Sequence, residues 1–174
     1  AGGFYYHGDI TVDKNPQAQA IRTHAKGLLF AQLKKDSAWL RPGLADYILI
    51  FRKPGDNQVP IHPDITNDQW ITWAHPVWYG INETDTLNVA EATSDKDERH
   101  ICPLQLSVIE RCIRLWSNPG ETVLSPFMGM GSEGYKAILL DRKFIGIELK
   151  LEYYRTALRN MKAASGQKRQ QRLI

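Results

Sequence analysis

Residues 122 to 135 read Thr-Val-Leu-Ser-Pro-Phe-Met-Gly-Met-Gly-Ser-Glu-Gly-Tyr. A short apolar run meets a glycine-rich turn, and a helical pattern from Tyr135 to Leu140 follows. Strand, tight turn and helix in that order bring backbone N–H groups and the positive end of a helix to one point. Further on, Phe144-Ile145-Gly146-Ile147-Glu148 reads as a second buried strand that ends in a carboxylate. A carboxylate in that place can accept both hydroxyls of a ribose, so the pair of segments predicts a nucleoside-containing cofactor. Gly129, Gly131 and Gly134 satisfy G-x-G-x-x-G, and on spacing alone NAD is a candidate. A glycine turn inside any α/β core satisfies the same spacing. Pro126 and Phe127 stand between the apolar run and the first glycine, where an aromatic suits a cofactor without a pyrophosphate.

Three segments carry a family resemblance: Ser125-Pro126-Phe127-Met128-Gly129-Met130-Gly131, then Phe144 to Glu148, then Glu152-Tyr153-Tyr154. They resemble the S-adenosylmethionine half of the DNA amino-methyltransferases, which modify N6 of adenine or N4 of cytosine. In that family the turn commonly reads D-P-F-x-G-x-G, followed by F-I-G-I-E and an E-Y helix. Upstream, His100-Ile101-Cys102-Pro103-Leu104-Gln105 resembles the loop and helix start that close over the cofactor. The match is dense over residues 95 to 162 and thinner over residues 9 to 53, where Asp9 to Lys14 and Asp46 to Phe51 resemble two strands of the catalytic half. Its flavour is of phage or prophage versions.

The resemblance implies a Rossmann-like α/β sandwich, incomplete at its N-terminal side, and S-adenosylmethionine as cofactor. It assigns the cofactor to Ser125, Pro126, Phe127, Gly129, Gly131, Ser132 and Glu148, with His100 and Pro103 in the covering loop. An ordinary loop histidine is the competing account of His100. It also implies double-stranded DNA as partner, N6 of adenine before N4 of cytosine as target, the cytoplasm of a bacterial host as location, and leaves a homodimer open. Arg22, Lys26, Trp39 and Arg41 are the candidate DNA contacts.

The family holds the flipped base with a D/N/S-P-P-Y/F/W loop, whose first side chain and next carbonyl accept the two amine hydrogens. That lets charge develop at nitrogen as the methyl group is transferred in line. This sequence has no adjacent prolines. Ser125-Pro126-Phe127 is one residue short of the loop and lies inside the cofactor turn, so it is rejected as catalytic, and no catalytic residue is assigned. The chain is therefore expected to correspond to the C-terminal portion of such an enzyme. Ser125 also replaces the family's usual aspartate, which removes a carboxylate while leaving a hydrogen-bonding hydroxyl at the turn. A non-catalytic cofactor- or DNA-binding remnant and an NAD-dependent oxidoreductase are the alternative functions.

The elements that must position these residues follow from composition and pattern. At 174 residues, 43% hydrophobic and 24% charged, the chain is long enough for one domain with a real core. The net charge of +3 is mild, compatible with nucleic acid without requiring it. No apolar stretch approaches the ~20 residues of a membrane span, and no basic-then-apolar leader opens the sequence. Cys102 and Cys112 lack zinc spacing, and the five histidines, His7, His24, His62, His75 and His100, show no metal pattern, so no metal is expected.

A single methyltransferase-like domain is expected over residues 1–174. It comprises catalytic-side strands (1–54), a loop-rich insertion suited to target recognition (55–99), the cofactor part (100–164) and a basic tail (165–174). Asp9 to Val12, Gly27 to Leu33 and Asp46 to Phe51 read as strands. Pro16 to Lys26 is a polar loop or helix, and Trp39 and Arg41 sit in a turn where Trp sealing a sheet edge is the commoner outcome. A short helix follows Thr66 and stops before Pro76. Trp70, Trp73, Trp78 and Tyr79 could stack on bases, but a small satellite core under the loops is the commoner outcome and the one expected. Pro103 to Trp116 is the clearest amphipathic helix, with Leu104, Val108, Ile109, Cys112, Ile113 and Trp116 inside and Ser107, Glu110, Arg111 and Arg114 outside. The last helix is expected over Glu152 to Ala164, its inner face carrying Tyr153, Tyr154, Ala157, Leu158 and Met161, and Gln167 to Arg172 as a frayed tail.

Overall fold

The computed structural model describes residues 3–32, 36–87 and 104–171. The chain divides into two compact units, residues 1–56 with 67–81 and residues 57–66 with 82–174.

The first unit is built on β1 (Tyr5–Val12), which pairs antiparallel with β2 (Asp46–Arg52) and parallel with the short β3 (Val77–Trp78), in the order β2-β1-β3. Ile10 and Val12 alternate inward on β1 and are buried, as two-residue periodicity requires. Asn15 ends the strand and opens α1 (Pro16–Thr23): its side chain accepts from the backbone N–H of Gln17 and Ala18, and Pro16 occupies the first turn, where no donor is lost. A short helix α2 (Asn67–Trp73) carries Trp73, and the buried Trp78 indole donates to its carbonyl at 2.9 Å. Trp73 and Trp78 are buried as expected of a satellite core, whereas Trp70 and Tyr79 are exposed.

Two expectations fail in this unit. Gly27 to Leu33 is not a strand: Leu28 makes a single parallel bridge to Arg41, and Leu29–Gln32 is a 3-10 turn, with Leu33 outside the described residues. A short apolar run does not distinguish these outcomes by periodicity, and here only Leu28 needs burial, Leu29 and Phe30 lying exposed. Trp39 ends a 3-10 turn (Ser37–Trp39) and is 87% exposed, so it seals no sheet edge.

The second unit contains β4 (Thr122–Ser125) and β5 (Lys143–Gly146), adjacent and parallel as the sequence predicts, with Val123 opposite Phe144 and Leu124 opposite Ile145. Its helices among the described residues are α3 (Leu106–Trp116), α4 (Ser132–Leu139) and α5 (Leu151–Gln171). Ile109 and Ile113 of α3 and Ala137 of α4 form the core, with Leu106, Val123, Leu140 and Phe144 packed against it. Val123 and Phe144 therefore face the helices, while Leu124, Ile145 and Ile147 present an exposed apolar face on the other side.

A buried cation fastens this unit. The Arg142 side chain is 0% exposed and forks onto Asp64, Nη1 to Oδ2 and Nη2 to Oδ1 at 3.1 Å each, while Nε donates to the Ser117 hydroxyl and Nη1 to the Leu140 carbonyl. Asp64 also takes Arg114, which pairs with Glu110, which takes Lys136 at 2.8 Å. Glu110 and Arg114 are thus half-buried partners rather than the solvated outer face expected of them. Leu104 and Trp116, expected inside, are partly exposed. Helix α3 begins at Leu106 after Gln105; Pro103 lies outside the described residues.

The last helix overruns its predicted end by a turn and more. Gly166 costs about 1 kcal/mol in a helix interior, yet α5 continues through it to Gln171. Beyond the glycine, Gln167 accepts from the Tyr135 hydroxyl at 2.9 Å, and Lys168 bonds the Ile138 carbonyl and the Asp141 carboxylate. Those contacts hold what composition alone reads as a frayed tail. The inner face is also narrower than predicted: Thr156, Ala157 and Ala164 are buried, while Tyr154 and Leu158 are partly exposed.

Candidate functional site

The turn between β4 and α4 is fixed from three directions. Beyond β5 the chain continues alongside it, Ile147 donating to the Ser125 carbonyl at 2.9 Å and Met128 to the Ile147 carbonyl at 3.0 Å. From the helix side, Asn160 Nδ2 donates to the Met130 carbonyl at 2.8 Å. Within the turn, Gly131 donates to Met128 and Tyr135 to Gly131, both at 2.8 Å, so the helix starts immediately. Met128 and Met130 are buried beneath it.

Glu148 is a further support. Its Oε2 accepts the Gly129 N–H at 3.0 Å and its Oε1 accepts the Lys150 N–H at 2.8 Å. Each carboxylate oxygen is thereby oriented by a backbone donor and keeps further acceptor capacity. The N-terminus of α4 has no side-chain cap: Gly131 is its N-cap in a left-handed conformation, φ 81°, and its first N–H groups carry the helix's positive end.

The two glycines of the turn have different reasons to be glycine. Gly129 has φ 50°, and a Cβ there would meet nothing within 4 Å. Gly131 has φ 81°, and a Cβ would lie 2.9 Å from the Cβ and 3.0 Å from the Cα of Ala157. Gly129 leaves the backbone open to a ligand, whereas Gly131 lets α5 approach. Gly146 is likewise a packing residue, its missing Cβ replaced by the Met128 sulfur and the Phe144 ring.

Ser125 and Ser132 are buried, Pro126 is exposed, and Phe127 stands 88% exposed at the lip of the turn. Leu149, next to Glu148, is 97% exposed. An oriented carboxylate, an open glycine, an uncapped helix start and two projecting apolar side chains fit a ligand with a polar sugar and an apolar base. His100 lies outside the described residues, as does Pro103. Glu133, in the first turn of α4, is pushed by burial above the usual carboxylate range, against a backbone hydrogen bond that acts the other way.

In the first unit, Arg22 lies on α1, and Lys26, Trp39 and Arg41 are exposed around the Leu28–Arg41 bridge. The Arg41 N–H donates to the Gly27 carbonyl at 3.0 Å, so the structure brings the Lys26 and Arg41 segments side by side. Sequence reasoning placed Ala157 on the inner face of the last helix but did not find Asn160 or the Gly129–Glu148 bond. The small residue at 157 and the amide at 160, one turn apart on one helix face, are the signal that was there to read.

The chain is of mixed α/β class, with the parallel strands β4 and β5 joined through a helix as in Rossmann-like folds. A family model described as DNA methylase, of the N6/N4 type, matches residues 1–159, and the chain belongs to that family. It is similar to the type II methyltransferase M.BglI of Bacillus subtilis, 28% identical over 117 residues that cover 67% of this chain and 30% of the relative. It is also similar to the DNA adenine methyltransferase YhdJ of Escherichia coli K12, 42% identical over 71 residues, 41% of this chain and 24% of the relative. Among solved structures, one from Thermus thermophilus, described as a putative DNA modification methylase in complex with S-adenosyl-L-methionine, superimposes with a TM-score of 0.66 at 21% identity, over 94% of this chain and 56% of that one. The matches thus span under a third of those two curated relatives and somewhat over half of the structural one. No helix among the described residues is long and apolar enough to cross a membrane.

Proposed function

We propose that this chain carries the cofactor-binding part of an S-adenosylmethionine-dependent DNA methyltransferase acting on an exocyclic amine, N6 of adenine before N4 of cytosine. The observation that carries the reading is the Glu148 carboxylate held against the Gly129 N–H at 3.0 Å, beside the uncapped start of α4. When bound, the cofactor supplies an electrophilic methyl group. Glu148 is assigned to its ribose hydroxyls, Gly129 to the open approach, and Phe127 to apolar packing. Ser125, Pro126, Gly131 and Ser132 shape the turn beneath. Support for adenine comes from the 42% identity to an adenine methyltransferase, and support for the cofactor from the structural relative solved with it.

The proposed partner is double-stranded DNA in the cytoplasm of a bacterial cell, with Arg22, Lys26, Trp39 and Arg41 as contacts; sedimentation decides between one copy and a homodimer. The segments 1–54, 55–99, 100–164 and 165–174 are proposed to serve one methyltransferase domain.

Calorimetry tests the reading. S-adenosylmethionine should bind, and Glu148→Ala should weaken it by about 1–3 kcal/mol, the cost of losing hydrogen bonds to a charged acceptor. Equal affinity in the variant removes Glu148 from the site, and preference for NAD overturns the cofactor. With tritiated S-adenosylmethionine and mixed-sequence duplex DNA, this chain is expected to bind cofactor without useful transfer. Rapid transfer would return Ser125-Pro126-Phe127 to consideration as the group that holds the amine.

A further inference from the structure

Helix α5 buries one face and charges the other. Ala157, Asn160, Met161 and Ala164 lie toward the glycine turn and α4: Ala157 against Gly131, Asn160 on the Met130 carbonyl, and the Met161 sulfur close over Gly134. On the opposite side Arg155, Arg159, Lys162 and Arg169 are all exposed. Their spacing of four, three and seven residues keeps them within an arc of roughly 80° at about 100° per residue. They form a straight cationic stripe about 21 Å long, at ~1.5 Å per residue.

The stripe is little neutralised. Arg155, Lys162 and Arg169 make no ion pair with another described residue, and Arg159 donates to Thr156 of its own helix at 2.9 Å. Glu152 is the one acidic residue of α5, and it sits at the N-terminal end beside Lys150. Lys168, which lies off the stripe, is committed to Ile138 and Asp141. The helix therefore separates its cations: Lys168 and Arg159 have partners of their own, and Arg155, Lys162 and Arg169 are turned outward in line with no ion pair to a described residue.

We propose that this stripe is a contact surface for the phosphate backbone of double-stranded DNA, separate from the base-holding and cofactor groups. It rests on the reading of the chain as part of a DNA methyltransferase. Duplex DNA carries one charge per about 1.7 Å of axis, so 21 Å of it presents on the order of twelve charges to a line anchored by Arg155, Lys162 and Arg169. Side chains that meet phosphates fix position and register and read no bases, which suits a helix whose outward face has no amide or aromatic row. A membrane surface fits less well. An interfacial helix needs a broad free apolar face, and α5 uses Ala157, Met161 and Ala164 against the turn and α4, leaving exposed only Leu151, Tyr154 and Leu158 among its large apolar side chains.

The test is a salt titration of binding to a fluorescent duplex of more than two turns, from about 50 to about 200 mM salt. The protein is compared with its Arg155→Gln/Lys162→Gln/Arg169→Gln variant; Arg159 is kept because it bonds Thr156. Removal of three phosphate contacts should make the slope of log K against log salt shallower by about 2–3, equally on two unrelated sequences. S-adenosylmethionine affinity and thermal melting should be unchanged. An unchanged slope overturns the proposal, as does undetectable duplex binding by the protein at the lowest salt. An equal loss per charge in Lys53→Gln/Lys143→Gln, off this helix, also overturns it, since net charge would then be the cause. Binding to phosphatidylserine vesicles that the triple variant abolishes, with DNA binding intact, assigns the stripe to membranes instead. Failure of both folded proteins to bind S-adenosylmethionine would count against the cofactor reading and leaves the salt slope to decide the stripe.

Discussion

The Gly129 N–H meets Oε2 of Glu148 at 3.0 Å, joining a turn to a strand end nineteen residues away. The acidic residue thereby shapes the backbone of the glycine turn while each of its oxygens keeps further acceptor capacity.

Gly129 and Gly131 should separate when each is replaced by alanine. In Gly129→Ala the new Cβ enters open space at φ 50°, at a backbone cost of about 1–2 kcal/mol, so the protein should fold. Its S-adenosylmethionine affinity should fall at least about tenfold, or ~1.4 kcal/mol. Gly131→Ala drives a methyl group against Ala157, adding about 1–3 kcal/mol of overpacking, and should lose more in thermal melting than Gly129→Ala. Wild-type affinity in Gly129→Ala would show that the open space is not the cofactor's.

Arg142 should be intolerant of conservative change. Arg142→Ala removes a buried fork from Asp64 and Ser117 and should cost about 3 kcal/mol in urea unfolding. Arg142→Lys should recover less than half of that, because an ammonium cannot make the bidentate pair. Full recovery by lysine would mean that charge alone matters there.

Two carboxylates should show opposite pH dependence. Burial pushes Glu110 up, but the Lys136 ammonium and Arg114 override it and hold the carboxyl below its usual range. Its contribution is present above the ordinary carboxylate pKa and is lost as pH falls through the lowered value. Glu110→Gln should therefore be less stable than wild type at neutral pH, with a gap that narrows in acid. Glu133 is raised by burial, so its folded state binds protons more readily than the unfolded one, and stability is lost as pH rises through the raised value. Glu133→Gln should gain stability at neutral pH and lose that advantage in acid. Urea melts at neutral and acidic pH check both, and the same sign for the two variants would contradict this assignment.

Cys112 should be chemically quiet. Burial pushes its thiol up to about 12, so almost no thiolate is present at neutral pH. Iodoacetamide labelling read by mass spectrometry should modify Cys112 in the native protein far more slowly than in urea. Equal rates would contradict its burial.

The strand–turn–helix at residues 122–139 was legible because each of its signals is local: an apolar run, two glycines, a helical period. The Glu148 carboxylate was legible as an acidic group after a strand, but its bond to Gly129 was not, since no pattern in sequence encodes a backbone donor across a turn. Arg142 was hidden for a different reason. Asp141-Arg142-Lys143 reads as a solvated turn, and the carboxylate that makes burial tolerable lies 78 residues earlier. The end of α5 was misread because Gly166 and the basic residues after it signal fraying, while the contacts from Tyr135 and Ile138 that oppose it come from another helix. Gly27 to Leu33 failed because a short apolar run carries too few residues to choose between strand and 3-10 turn.

The chain visits the second unit twice, since residues 57–66 belong to it while 67–81 return to the first. Within that early visit Asp64 reaches Arg142, the Pro60 carbonyl accepts from the Asn118 amide, and the His62 N–H donates to Asn118. Replacement of the whole 55–99 stretch would therefore carry off the counter-ion of a fully buried guanidinium. A boundary placed after Thr66 keeps that counter-ion at home, which makes residues 57–66 part of the frame of the second unit.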